Sequence, residues 1–97
     1  MINIYILEGC PYCLKALELL KIYKLKHKKI IVPNEEKIKN EYKKKHKMNT
    51  FPQIFIENNI KIGGLNDLEN IINLSKNIKN MNISIDAIYY LYKNIKN

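Results

Sequence analysis

The stretch that most restricts the fold is the N-terminal MINIYILEGCPYCLKAL, because its periodicity changes within a few positions. Ile2 to Leu7, INIYIL, is apolar and β-branched, the pattern of a buried strand. Pro11 follows shortly after, where a helix can begin without losing a needed donor. From there Leu14, Leu17, Leu20 and Leu25 recur at helical spacing to about Lys26, with Ala16 allowing close packing. A short strand, Lys29 to Val32, is then stopped by Pro33. A strand, a helix and a strand in that order imply a right-handed crossover joining two parallel strands. That unit commits the chain to the α/β class and places Cys10 between the first strand and its helix, with Cys13 in the first turn of that helix.

Downstream signals complete the sheet. Asn34 is a suitable N-cap, with Glu35 and Glu36 in the first turn of a helix that runs to about Lys47 and carries Ile38 and Tyr42 on one face. Its KKKHK run, Lys43 to Lys47, lies in the last turn, where cations complement the helix dipole. Gln53 to Glu57 is strand-like, Asn58 and Asn59 suit a two-residue turn because Asn tolerates positive φ, and Ile60 to Ile62 returns as the partner strand. Gly63-Gly64 allows a sharp bend, after which Asn66 or Asp67 caps a third helix with Leu68, Ile71, Ile72 and Ser75 at helical spacing. The polar stretch 77–82 ends that element. Ser84 caps a last helix whose face is Ile85, Ile88, Tyr92 and Ile95, with Leu91 beside it. The expected architecture is a four-stranded mixed sheet flanked by helices on both faces, with an extra C-terminal helix. Residues 1–77 are expected to form the domain, and 78–97 a helical extension packing on or beside it.

Charge and hydropathy narrow the function classes. No apolar run approaches the ~18–20 residues that span a bilayer, so no membrane partner is expected. The N-terminus lacks the basic and apolar regions of a signal peptide, which makes the reducing cytosol the expected compartment. The net charge is +8, yet every one of the 17 basic residues is Lys, and Ile, Asn and Lys make up about half of the chain. Those three residues share AT-rich codons, so coding bias explains the charge without a partner. A basic surface attracts anions in general, but arginine, the preferred base reader, is absent, and no aromatic platform accompanies the lysines. Nucleic-acid binding is therefore not expected.

The pair Cys10 and Cys13 admits three readings: half of a metal site, a structural disulfide, or a redox couple. A zinc site needs four ligands, and the other candidates, His27 and His46, sit far apart within lysine-rich segments; no metal is expected. A lasting disulfide is unusual in a reducing compartment. A CxxC at the start of a βαβ unit points to thioredoxin-like redox chemistry. Cys10 falls at the helix N-terminus, where free N–H groups and the dipole favour a thiolate, the attacking species in thiol–disulfide exchange. Cys13, one turn further in, can reach back to it. Cys10 is thus the expected nucleophile and Cys13 the resolving thiol.

Three blocks in order, CPYC at Cys10 to Cys13, TFPQIFI at Thr50 to Ile56 and IGGLNDL at Ile62 to Leu68, resemble the glutaredoxin family of dithiol type on the thioredoxin fold. The similarity covers about residues 2–77. It implies a cis Phe51–Pro52 bond, and glutathione as co-substrate. It further implies that Thr50, Phe51 and Pro52 present backbone groups to the cysteinyl part of glutathione. Gly64, Asn66 and Asp67 would hold its γ-glutamyl end, with the Asp67 side chain on the α-ammonium, and Tyr12 would flank the sulfur. The family commonly has Lys three residues before the first cysteine, where this chain has Leu7; Lys39 or Lys43 could supply a cation for the glycine carboxylate instead. The function implied is glutathione-dependent reduction of glutathionylated and disulfide-bonded proteins, by a monomer. Two alternatives from other classes are a glutathione-ligated iron–sulfur cluster carrier, against which Pro11 argues by stiffening the loop, and a redox-switched docking module using the C-terminal helix.

Overall fold

The computed structural model describes residues 1–78 and 83–96. Strands β1 (Ile2–Ile6), β2 (His27–Ile31), β3 (Gln53–Ile56) and β4 (Ile60–Gly63) form one sheet in the order β2-β1-β3-β4. β1 pairs parallel with β2 and antiparallel with β3, and β3 pairs antiparallel with β4. Helices α1 (Pro11–Ile22), α2 (Glu36–His46), α3 (Leu65–Asn77) and α4 (Ile85–Lys96) complete the chain. The mixed four-stranded sheet expected from the order of motifs is the one observed.

Alternation along β1 explains the layering. Ile2, Ile4 and Ile6 are buried on one face of the sheet, in a core shared with Cys13, Ala16 and Leu20 of α1 and with Leu68 and Ile72 of α3. On the other face Tyr5 meets Tyr42 and His46 of α2, at ring-centroid distances of 5.5 and 4.7 Å. α2 has no fully buried residue and docks through that aromatic contact and half-buried Ile38. Lys61 of β4 donates to the His46 carbonyl at 2.9 Å, satisfying an end carbonyl of α2 from outside the helix.

Several element bounds differ from the sequence expectation. α1 ends at Ile22 rather than near Lys26, because Lys24 adopts φ 53° and reverses the chain. Its buried stripe is Cys13, Ala16 and Leu20, while Leu14 is 60% exposed; counting leucines alone missed that a cysteine fills the first buried position. β2 begins two residues earlier than expected, because its parallel ladder extends through the exposed Lys28 and Lys29 at the sheet edge. The α2 cap is Glu35, with no side-chain cap bond, rather than Asn34. The β3–β4 connection takes three residues, and the one at positive φ is Glu57, at 55°, not an asparagine. The N-cap of α3 is Gly64, so Asn66 and Asp67 lie within the first turn.

α4 packs against α3, with Ile88 and Leu91 buried. Ser84 Oγ accepts the Ala87 N–H at 3.1 Å, the cap bond expected of that residue. The Ile95 side chain and residues 79–82 of the polar stretch lie outside the described residues. Among the described residues no helix is long and apolar enough to cross a membrane.

Candidate active site

The two cysteines meet at the N-terminus of α1 because of a turn. Gly9 adopts φ 73°, and the Cys10 N–H closes onto the Leu7 carbonyl at 3.3 Å. Only glycine takes that conformation at little cost. Cys10 is then the N-cap of α1, in extended geometry, and Pro11 supplies the first helical residue. The Cys10 Sγ accepts the Cys13 N–H at 3.2 Å, the position that a Ser or Asp oxygen takes at an ordinary cap. That bond and the dipole end turn positive potential toward the sulfur. As a thiol, Cys10 can also donate weakly to the Phe51 carbonyl, 3.9 Å away.

Cys13 differs in every respect. It is fully buried, with both thiols free of a disulfide. Burial, aided by its hydrogen bond to Cys10 and by Cys10's charge and opposed by the Leu7 backbone, pushes the Cys13 thiol up to about 12. One thiol is therefore reachable and the other is held protonated against the core.

Beside Cys10 lies a cavity of about 480 Å³ lined by Tyr12, Met48, Asn49, Thr50, Phe51, Pro52, Gly64, Leu65, Asn66 and Asp67. All seven residues taken from the family blocks as glutathione contacts line it together. The cysteines themselves do not; Cys10 reaches it through Phe51. Met48, Asn49 and Leu65 were missed, though Leu65 lies within the third block and Met48 and Asn49 directly precede the second. The Phe51–Pro52 bond is cis, as the resemblance implies. Among the described residues the Phe51 N–H has no intramolecular partner.

The opposite wall is the first turn of α3. The first helical bond there runs from the Leu68 N–H to the Gly64 carbonyl, leaving the N–H groups of Leu65, Asn66 and Asp67 without a helical acceptor. Three such donors at a dipole's positive end are the kind of group that an anion accepts from. Asp67 Oδ2 accepts the Gly64 N–H at 2.9 Å, which fixes the carboxylate at the wall. Gly63 makes room for it: at φ 126° a Cβ would strike the Asp67 carboxylate. Gly63→Ala is expected to lose about 2 kcal/mol of stability by combining backbone strain with a displaced Asp67; denaturant unfolding checks it, and an unchanged midpoint would contradict the steric argument.

Lys39 and Lys43 are not brought to the cavity. Lys39 Nζ pairs with Glu36 at 2.9 Å, which holds the Glu36 carboxyl below its usual range. Leu7 is half-buried and packs against the core, so its position contributes apolar contact and no charge. Among the described residues no three His, Cys, Asp or Glu side chains gather into a metal-sized cluster.

Comparison with known proteins agrees with this geometry. A family model described as Glutaredoxin matches residues 2–60. Glutaredoxin 1 of Rickettsia typhi is 43% identical over 72 residues, covering 72% of this chain and 68% of that protein. Glutaredoxin 1 of Rickettsia bellii is 44% identical over 71 residues, covering 69% of this chain and 71% of that protein. The solution structure of a glutaredoxin from Brucella melitensis superposes with a TM-score of 0.64 at 33% identity, covering 77% of this chain and 80% of that one.

Proposed function

From the premise that this chain belongs to the glutaredoxin family, and so is a thiol–disulfide oxidoreductase, we propose that its co-substrate is glutathione and that Cys10 carries the exchange. The observation that carries this reading is the pairing of an N-cap sulfur with a cavity whose far wall is a helix N-terminus with N–H groups free of helical acceptors. The free Phe51 N–H and the Phe51 carbonyl suit the cysteinyl backbone of a bound tripeptide, in the manner of an added strand. The N–H groups of Leu65, Asn66 and Asp67 suit its γ-glutamyl carboxylate, and the outer Asp67 oxygen its ammonium. Lys39 and Lys43 do not line the cavity, so this reading assigns them no contact.

In the first step the Cys10 thiolate attacks the glutathione sulfur of a mixed disulfide. The Cys10–glutathione disulfide forms, the old S–S bond breaks, and the substrate leaves as a thiolate that takes up a proton. A second glutathione thiolate then attacks the glutathione sulfur of that disulfide, releasing oxidised glutathione and returning the Cys10 thiolate. With a protein disulfide, Cys13 closes onto Cys10 and expels the second substrate thiolate. That closure requires Cys13 to lose its proton. Capture of Cys10 in a disulfide removes the negative charge that helps keep Cys13 protonated, but burial, the larger cause, remains. Exchange with a second glutathione needs no such proton loss from Cys13. The expected potential is about −200 to −230 mV, the range of glutaredoxins.

Turnover of a small glutathione mixed disulfide, coupled to glutathione and glutathione reductase, tests the reading. Saturable turnover that requires glutathione supports it. Folded, reduced protein that turns over protein disulfides with a dithiol reductant but ignores glutathione would overturn it.

A further inference from the structure

Gln53 is a fully buried polar residue immediately after cis-Pro52. Its amide bridges two segments distant in sequence from α1. The Nε2 group donates to the Thr50 carbonyl at 3.3 Å, and Oε1 lies 2.7 Å from His46 Nδ1. A carbonyl only accepts, so the Thr50 contact fixes which end of the amide is NH₂. Oε1 must then face a donor, which assigns the proton to His46 Nδ1. The His46 ring has little freedom to turn away: its centroid is 4.7 Å from both Tyr5 and Phe55, and 5.8 Å from Tyr42.

These contacts form a chain. The ring cluster holds His46, His46 holds the Gln53 amide, and the amide holds the carbonyl of Thr50. Thr50 and Pro52 flank Phe51, and all three line the cavity beside Cys10. Across this turn, where Pro52 has no N–H, the side chain of Gln53 takes the place of a backbone donor. We propose that His46 is a positioning residue: through Gln53 it fixes the Thr50–Pro52 wall of the cavity and so sets affinity for the tripeptide part of the substrate. This rests on the reading of that cavity as the glutathione site. His46 touches neither sulfur nor substrate, and its effect is on binding rather than on the attacking thiolate.

Removing the His46 donor leaves Gln53 Oε1 buried and unpaired, and the amide then turns or withdraws from Thr50. His46→Phe keeps the ring and deletes the donor. His46→Asn deletes the ring and keeps an N–H donor at nearly the same place. Steady-state turnover of a glutathione mixed disulfide is expected to show KM raised about fivefold in His46→Phe with kcat little changed, the factor of one net hydrogen bond. In His46→Asn KM returns close to the wild-type value. Nitrogen-15 NMR of wild-type His46 is expected to show the Nδ1–H tautomer. Equal KM in wild type and His46→Phe overturns the proposal. A comparable rise in both variants assigns the effect to the ring and overturns it too. An Nε2–H tautomer in the wild type overturns it without reference to glutathione. Should the wild type not turn over the mixed disulfide at all, the glutathione reading is what fails, and the tautomer alone then decides the His46–Gln53 link.

Discussion

Cys10→Ser is expected to lower turnover of a glutathione mixed disulfide by about a thousandfold or more, while Cys13→Ser keeps it within a few-fold of wild type. The difference follows from where each sulfur sits. Cys10 Sγ occupies the N-cap position, accepts the Cys13 N–H and adjoins the cavity wall at Phe51. A serine hydroxyl there still caps the helix, so Cys10→Ser folds; it lacks only a nucleophile of sufficient acidity. Cys13 is buried and protonated, and the exchange with two glutathione molecules does not use it. Its hydroxyl replacement therefore removes only the dithiol route: reduction of a protein disulfide without glutathione should be lost. The measurement is the coupled assay on both variants, with folding checked by circular dichroism. Loss of glutathione-dependent turnover in Cys13→Ser would reverse the assignment of roles.

Much of this was legible because it rests on local rules. The switch from a β-branched run to Pro11 located the first strand and the helix start, with Cys10 at the junction. Gly63-Gly64 marked a bend by glycine's backbone freedom alone, whereas the cis Phe51–Pro52 bond was implied by the family resemblance. What could not be read depended on distant partners. Leu14 has the periodicity of a core residue, but Cys13 takes the buried position and Leu14 turns outward. The left-handed residue of the β3–β4 turn is Glu57, beside two asparagines better suited to it, because the strand register decides where the turn begins. Lys39 and Lys43 were offered in place of the cation missing at Leu7, in a chain where a lysine is easy to find near any point; the structure gives Lys39 a neighbour of its own, Glu36. Gln53 and His46 carried no sequence signal as a pair, since nothing local says that a glutamine after proline reaches a helix on the outer face of the sheet.

Native protein at neutral pH is expected to take one alkyl group from iodoacetamide, on Cys10, and two only after denaturation. With the Cys13 thiol pushed up to about 12, roughly one molecule in 10⁵ carries that thiolate at pH 7, and the side chain is out of reach of reagent besides. Peptide mapping by mass spectrometry reads the sites; equal labelling of both cysteines in folded protein would defeat the argument. The same shift predicts a dependence of stability on pH. Folding raises the Cys13 value from its ordinary 9.0, so between 9.0 and about 12 the folded chain keeps a proton that the unfolded chain has lost. Its contribution to stability is present in full below pH 9 and is lost as pH rises through the folded value. The loss is on the order of 1 kcal/mol per pH unit within that window. Tyrosines and lysines also titrate there, but they do so equally in a Cys13→Ala variant, which lacks this one proton. The stability difference between wild type and Cys13→Ala, measured by denaturant unfolding under reducing conditions, should therefore shrink steadily from pH 9 to 11. A difference that stays constant across that range would mean that Cys13 ionises no less readily in the folded chain than in the unfolded one, and burial would no longer account for a protonated Cys13.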